Sequence, residues 1–144
     1  MKKLDWVLLV DDDADCNFFH QRIVSRTDCA EKVYVASDGQ EALEFLQFRL
    51  DWKPQGSAII FLDLNMPRLN GWEFLEEYVK IKDKINTNIV VILLTSSFNP
   101  DDREQAAICS GLDGFRSKSL TKDILNQILE KHFPETLQPA SALT

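Results

Sequence analysis

The feature that most constrains the fold is a short apolar run that ends in an acidic residue and a turn. Residues 59–63 read IIFLD, and LNMP follows directly. A continuous apolar run of this length predicts a β-strand buried on both faces. Pro67 disfavours a helical conformation at Met66 and lacks an amide donor, so we expect the strand to end before this point. Asp63 therefore stands where a buried strand meets a loop.

The first strand of the chain ends in the same way. Residues 4–10 read LDWVLLV, and Asp11, Asp12 and Asp13 come directly after them. Parallel strands of an open α/β sheet bring their carboxyl ends to one edge, where ligands bind. An isolated Asp63 would most often cap a loop or helix, and Asp13 has the same interpretation at the start of the next helix. Two strands that both end in acid instead favour a carboxylate cluster.

A carboxylate cluster of this kind is a candidate metal site. Carboxylates that lie close together repel one another unless some are protonated or a cation is present. Oxygen ligands favour a hard divalent ion, and Mg²⁺ suits one or two carboxylates with several waters retained. The sequence therefore predicts a Mg²⁺ site among Asp11, Asp12 and Asp63.

Length and charge limit the class of protein. The 144 residues argue for one domain, and the net charge of −7 opposes binding to nucleic acid or to an anionic membrane. The amino-terminal apolar run is too short and too acidic for a signal peptide or a membrane span, so we expect a cytoplasmic protein. Cys16, Cys29 and Cys109 form neither a disulfide framework nor a zinc pattern, and we expect reduced core thiols.

The rest of the chain alternates between predicted strands and helices, which predicts an α/β fold. This fold is a parallel five-stranded sheet with helices on both faces, doubly wound, over residues 1–133. In the first helix we expect Cys16, Phe19 and Ile23 to face the core. The fourth helix is weakly apolar and should be loosely held, and residues 134–144 should form a mobile tail. Strands are predicted at 4–10, 31–36, 59–63, 89–94 and 114–118, and helices at 14–27, 39–46, 72–84, 100–110 and 120–133.

Two further strand ends carry polar groups, Thr95 and Lys118. Carboxylates that hold Mg²⁺, a carboxylate nucleophile, a hydroxyl and an ammonium form a phosphoryl-transfer set. Lys118 alone would usually be a surface lysine, and Thr95 alone an ordinary strand residue. Their joint placement on one edge of the sheet indicates phosphoryl-transfer chemistry. His20 and His132 are lone helical histidines, which we interpret as structural or solvated and not as phosphodonors.

These motifs together resemble a bacterial response-regulator receiver domain. The resemblance covers about residues 4 to 133, in order, and implies a flavodoxin-like fold of the stand-alone, single-domain type. It implies that Asp63 accepts a phosphoryl group from a partner histidine kinase or histidine phosphotransfer protein, and that a downstream protein reads the result. The motifs are VLLVDDD at 7–13, DLNMP at 63–67, NG at 70–71, LTS at 94–96 and GF at 114–115 with Lys118.

The same resemblance implies roles for individual residues. Asp12, Asp63 and the Asn65 backbone carbonyl would bind Mg²⁺, with Asp11 acting through water. Lys118 would pair with the phosphoryl group. Asn65, together with Ser97, stands where members of the family tune dephosphorylation.

A switch is implied as well. Thr95 would move to bond a phosphoryl oxygen, and Phe115 would rotate inward with it. On phosphorylation we expect the surface of the fourth helix, fifth strand and fifth helix to change most. One departure is Ser119, where the family usually has proline after the lysine. A cis bond before a residue other than proline costs about 3–4 kcal/mol, so we expect a trans Lys118–Ser119 bond and a lysine that still reaches Asp63.

Three alternatives come from other classes. A phosphatase of haloacid-dehalogenase type also uses a strand-end aspartate with Mg²⁺, but it requires a second aspartate where Asn65 stands. A nucleotide-binding loop between Gly111 and Ser119 would need glycine where Ser117 precedes Lys118. A degenerate receiver that only binds proteins is disfavoured because the acidic residues, the threonine and the lysine are all retained.

Overall fold

Five parallel strands form one sheet in the order β2-β1-β3-β4-β5. The computed structural model describes residues 3–49, 56–85, 87–96, 99–118 and 120–136. The sheet confirms the predicted doubly wound α/β fold, and β3, which ends in Asp63, is its central strand. The strands are β1 (Leu4–Val10), β2 (Ala30–Ala36), β3 (Gly56–Asp63), β4 (Thr87–Thr95) and β5 (Gly114–Ser117).

The helices cover both faces of the sheet. Helices α2 and α3 pack on one face, and α1 and α5 pack on the other. The π-helix Phe45–Arg49 continues α2, and the 3₁₀ turn Lys82–Lys84 follows α3, so these two segments are less regular than predicted. The helices are α1 (Ala14–Thr27), α2 (Gly39–Glu44), α3 (Gly71–Ile81), α4 (Pro100–Ile108) and α5 (Lys122–His132).

The central strand divides the core into two apolar layers. Ile60 and Leu62 face the layer that contains Phe74 and Leu75 of α3, while Phe61 faces the layer of α5. All of these side chains are at most 2% exposed. Each buried side chain of this size contributes about 1.5–3 kcal/mol relative to exposure, so β3 is fixed from both sides.

The rotation of α1 about its axis differs from the predicted one. The expectation that Cys16 and Phe19 face the core is wrong, since Phe19 is 62% exposed and Cys16 is partly exposed. The buried positions are Asn17, His20 and Val24. Two polar side chains thus face inward because each hydrogen-bonds to a backbone group, Asn17 to the Asp11 carbonyl after β1 and His20 to the Leu120 amide before α5.

The fourth helix is held weakly, in agreement with its sequence. It starts with Asn99 as cap and Pro100 in the first turn, as predicted, but it ends at Ile108 and not at Ser110. None of its residues is buried, and Ile108 is 84% exposed. Gly111 then takes a positive φ of 89° and turns the chain toward β5.

Three further predictions concern the cysteines, the carboxyl-terminal tail and membrane-spanning helices. All three cysteines are free, but only Cys29 is buried, so Cys16 and Cys109 are not core thiols. Within the expected tail, Pro134–Thr136 form a 3₁₀ turn with Thr136 buried, and residues 137–144 lie outside the described part. Among the described helices, none has the length and apolar content needed to cross a bilayer.

The end of β3 and the start of α3 lie close together at Gly71. Its amide donates to the Leu64 carbonyl, and a Cβ at this position would lie 2.8 Å from the Asp63 carbonyl oxygen. Asn70 caps α3 in a reciprocal capping box with Glu73, which fixes where the helix begins. The backbone that follows Asp63 is therefore held by a contact that only glycine permits.

Gly71→Ala should destabilise the fold by about 1–3 kcal/mol, because the new methyl group meets backbone atoms that have no room to move. Gly114→Ala is the matched control, since its Cβ would meet only the flexible end of Ile92. Urea unfolding measures both. Equal losses in the two variants would contradict this account of the turn after Asp63.

Candidate functional site

The carboxyl ends of three neighbouring strands bring the predicted site residues to one edge. Val10, just before Asp11, lies beside Leu62, just before Asp63. Asp63 in turn pairs with the residue that precedes Thr95. The parallel register therefore aligns these residues in a row, as the strand-end pattern predicted.

Three carboxylates meet at this edge. One oxygen each of Asp11, Asp12 and Asp63 can be chosen so that all three lie within 4.8 Å of one another. Asp11 and Asp63 are buried, with 4% and 7% exposure, while Asp12 is exposed. Oxygen donors that are buried on one side and open to water on the other fit Mg²⁺, which retains several waters. The residues present therefore suit the ion that the sequence predicted.

The ammonium of Lys118 lies between the two buried carboxylates. Its Nζ is 2.7 Å from Asp11 Oδ2 and 3.4 Å from Asp63 Oδ1. The backbone amide of Lys118 donates to the Thr95 carbonyl at 3.0 Å, which anchors the lysine to the end of β4. Ser119 lies outside the described residues, so the conformation of the Lys118–Ser119 bond stays a prediction.

The carboxylates and the ammonium shift one another's proton affinity. Burial, followed by the charge of Asp11, raises the pKa of Asp63 to about 6 even though Lys118 opposes both effects. Burial alone would lower the pKa of Lys118, but its hydrogen bond to Asp11 and the charges of Asp63 and Asp11 raise it above its ordinary value. One ammonium therefore does not fully compensate the two buried carboxylates.

The third acidic residue of the DDD run has a separate task. Asp13 is the N-cap of α1, and its Oδ1 accepts from the amides of Asp15 and Cys16 at 2.9 and 3.3 Å. These backbone hydrogen bonds lower the pKa of Asp13. The amide of Asp13 donates to Asp11 Oδ1 at 2.9 Å. Asp13 is thus the helix cap that the sequence suggested, and it also holds one oxygen of Asp11.

The loop after Asp63 is tied to α2 by contacts that the sequence did not reveal. Arg68 has a positive φ of 63°, and its Nε donates to Asp38 Oδ2 at 2.8 Å. Burial alone would raise the pKa of Asp38, but Arg68 and the Glu41 amide lower it. Beside this pair, the Gly39 amide donates to the Leu69 carbonyl at 3.1 Å. The backbone that carries the exposed Asn65 is held by this attachment.

The two expected switch residues lie on neighbouring strands. Thr95 is buried at the end of β4, with 2% exposure. Phe115 on β5 is half-buried, and the guanidinium of Arg103 on α4 lies 5.8 Å from its ring centroid. This cation–π contact joins the weakly packed α4 to β5. Ser97 lies outside the described residues.

The inner face of α1 supplies two site neighbours that sequence reasoning missed. Asn17 donates through Nδ2 to the Asp11 carbonyl at 2.7 Å, and His20 accepts through Nε2 from the Leu120 amide at 3.2 Å. The interpretation of His20 as a structural residue is consistent with its burial, and His132 is partly exposed on α5. No signal in the sequence links positions 20 and 120, because the two meet only in the fold.

The arrangement of these residues agrees with a comparison against known families. The sequence matches the response regulator receiver domain family over residues 7–130, most of the chain. The chain belongs to the response-regulator receiver family. The predicted resemblance is therefore confirmed, and the chain is a receiver domain of two-component signalling.

Individual relatives agree with this assignment. A crystal structure of a two-component response regulator from Cytophaga hutchinsonii is 33% identical, with a TM-score of 0.75, and the alignment covers 90% of this chain and 97% of that one. The two-component response regulator ORR1 of Oryza sativa subsp. indica is 30% identical over 94% of this chain and 58% of its own length.

A third relative is the osmosensing histidine protein kinase SLN1 of Saccharomyces cerevisiae. It is 29% identical over 85% of this chain but only 10% of its own length. The receiver thus spans less than two thirds of these two curated relatives, ORR1 and SLN1. The family match favours a receiver over the haloacid-dehalogenase and nucleotide-binding alternatives.

Asp63→Asn should make the Mg²⁺-free receiver more stable at neutral and alkaline pH. A carboxyl whose pKa is raised by folding adds stability below its ordinary value of 3.8, and this stability is lost as the pH rises through about 6. The difference between the two values corresponds to at most about 3 kcal/mol. Urea unfolding in a chelator should show a gain for Asp63→Asn of about 1–3 kcal/mol near pH 8 that shrinks toward pH 4.

Asp83→Asn removes an exposed carboxyl on the turn after α3 and is the control for that titration. The proposed origin of the effect would be refuted by a stability difference between wild type and Asp63→Asn that is the same at every pH.

Proposed function

We propose that Asp63 accepts a phosphoryl group from a histidine kinase or a histidine phosphotransfer protein, in a Mg²⁺-dependent reaction. The observation that carries this proposal is the difference between the two buried carboxylates. Asp11 is engaged at both oxygens, by the Asp13 amide and by Lys118 at 2.7 Å. Within the described part of the chain, Asp63 has the longer 3.4 Å contact with Lys118 and a backbone hydrogen bond from Leu64.

This difference makes Asp63 the better nucleophile of the pair. A carboxylate oxygen that is not tightly hydrogen-bonded is available to attack phosphorus, whereas the oxygens of Asp11 are held. Asp12 is exposed and lies beyond the end of β1, which suits a metal ligand in contact with solvent. The three neighbouring carboxylates therefore divide into an acceptor and two residues that prepare the site.

The reaction is a transfer of the phosphoryl group from nitrogen to oxygen. An oxygen of Asp63 forms a bond to phosphorus, and the bond from phosphorus to the histidine nitrogen breaks. The nitrogen keeps the electron pair, and the product on this chain is an acyl phosphate. Asp12, Asp63 and the Asn65 carbonyl would hold Mg²⁺, with Asp11 acting through water, and the ion would neutralise negative charge on the transferring group. Lys118 pairs with the same group once it has arrived.

Output depends on the weakly packed side of the sheet. When a phosphoryl group occupies Asp63, Thr95 bonds one of its oxygens and Phe115 moves into the space beside it. The contact between Phe115 and Arg103 then changes, and α4 can follow because none of its residues is buried. The surface of α4, β5 and α5 is therefore the one that a downstream protein reads. A net charge of −7 favours a protein partner over nucleic acid.

The proposed donor is a phosphohistidine protein, and small phosphodonors can replace it in a test. Incubation with acetyl phosphate and Mg²⁺ should add one phosphoryl group to the wild type, at Asp63, because the acceptor carboxylate and its cations lie on this chain. The adduct should be labile to hydroxylamine, as an acyl phosphate is. Intact-mass measurement and peptide mapping locate the group.

Asp13→Asn is the matched control, since it changes a neighbouring carboxyl that caps a helix, and it should still be labelled. Label that persists in Asp63→Asn, or label on serine or threonine, would refute the assignment of the acceptor. Catalytic turnover of p-nitrophenyl phosphate would instead favour the phosphatase alternative.

Hydrogen exchange should report the switch. Addition of Mg²⁺ with beryllofluoride, a phosphoryl mimic, should change amide exchange mostly in α4, β5 and α5. Thr95→Val keeps the side-chain shape but removes the hydroxyl, so it should bind the mimic and lose most of that change. Exchange that changes only around α1 and α2, or an unaltered response in Thr95→Val, would be inconsistent with the proposed output surface.

A further inference from the structure

One hydrogen bond joins the first helix to the segment that follows Lys118. His20 of α1 accepts the backbone amide of Leu120 through Nε2 at 3.2 Å, across 100 residues of sequence. Both residues are buried, with 3% exposure each. Leu120 stands two positions after Lys118 and directly before Thr121, the N-cap of α5. The histidine therefore anchors Leu120, which lies between the lysine and the last helix.

The buried face of α1 contacts the backbone at two places, one at Asp11 and one just after Lys118. Asn17, one helical turn before His20, donates to the carbonyl of Asp11 at 2.7 Å. A small cavity of about 10 Å³ is lined in part by Asp11, Asn17, His20 and Asp63. These contacts place the helix directly against the carboxylates. Asn17 holds the strand end that carries Asp11, and His20 holds the chain that carries Lys118.

The imidazole must be neutral to make this bond. Its Nε2 accepts a hydrogen bond from the Leu120 amide, so in the neutral ring the hydrogen is on Nδ1. Burial lowers the pKa of His20, which agrees with a neutral ring. A buried amide that loses its acceptor is left unsatisfied, which is unfavourable away from water. The bond therefore favours the observed position of the backbone at Leu120.

Lys118 depends on anchors on both sides, because its own side chain is long and flexible. Upstream, its amide is bound to the Thr95 carbonyl at 3.0 Å. Downstream, the residue after the lysine is Ser119, which lies outside the described residues. The next fixed point that the structure describes is the amide of Leu120 on His20.

We propose that His20 is a positioning residue for phosphoryl transfer. It anchors the backbone at Leu120, two positions after Lys118, so that the ammonium stays between Asp11 and Asp63. This inference rests on the proposed function, because it concerns how Lys118 meets the phosphoryl group. A small displacement of a group that stabilises the transition state, here the Lys118 ammonium, removes much of its effect on the rate. We therefore expect the loss of His20 to lower the rate of phosphoryl transfer and not the affinity for Mg²⁺.

The test compares three variants of the full chain. His20→Leu removes the acceptor at similar volume, His20→Gln keeps an acceptor, and His132→Leu changes a helical histidine away from the site. The rate of Asp63 labelling by acetyl phosphate at saturating Mg²⁺ should fall about tenfold in His20→Leu. It should be largely restored in His20→Gln and unchanged in His132→Leu. The Mg²⁺ dissociation constant, from calorimetry, should stay within about twofold in all three, since no ligand is altered.

A double-mutant cycle with Lys118→Ala separates positioning from general damage. If His20 acts through the lysine, His20→Leu should slow labelling little further once Lys118 is alanine. An unchanged rate in His20→Leu, or an equal slowing in the presence and absence of Lys118, would overturn this inference and leave the proposed function intact. Failure of the wild type to be labelled would instead refute the proposed function, and this inference with it.

A measurement on the wild type keeps the proposal testable if His20→Leu fails to fold. Nitrogen-15 spectra of the imidazole should show His20 unprotonated at Nε2 near neutral pH, and the Leu120 amide should exchange slowly. A hydrogen on Nε2, or a Leu120 amide that exchanges as fast as an exposed loop amide, would overturn the assignment.

Discussion

The contact of the Lys118 ammonium with two buried carboxylates is the interaction on which the site depends. Asp11 and Asp63 end neighbouring parallel strands, so the register of the sheet forces their negative charges together. One ammonium, 2.7 Å from the first and 3.4 Å from the second, compensates only part of that charge. Burial, followed by the charge of Asp11, raises the pKa of Asp63 to about 6. A site with this excess of negative charge favours the binding of a divalent cation. The divalent cation and the Lys118 ammonium can then both contact a phosphoryl group.

The surrounding fold keeps these charges in place against their repulsion. The central strand is buried on both faces, which fixes Asp63. Gly71 and the ion pair of Arg68 with Asp38 hold the loop that follows it. On the other side, α1 holds the end of β1 and the segment after Lys118. The packing of α4 is different, because none of its residues is buried. This weakly packed helix belongs to the surface that we propose as the output surface.

The placement of the candidate site residues at one edge of the sheet could be predicted from the sequence, because that information is local to the strand ends. An apolar run followed by an acid, a threonine or a lysine places each group at the same edge once the strands are parallel. The rotation of α1 was not predictable in this way, because two overlapping helical faces fit the pattern and the buried one carries the polar Asn17 and His20. The contacts of His20 with Leu120 and of Arg68 with Asp38 join distant segments, so they became visible only in the fold.

The most direct test of the central claim is a pH titration of the aspartate carboxyl carbons by carbon-13 NMR, with and without Mg²⁺. The account predicts that Asp63, assigned with Asp63→Asn, titrates near 6 in a chelator. It further predicts that Mg²⁺ lowers this midpoint and that Lys118→Ala raises it, since each changes the positive charge beside the carboxylate. An Asp63 midpoint near the ordinary value of 3.8 that responds to neither change would contradict the account.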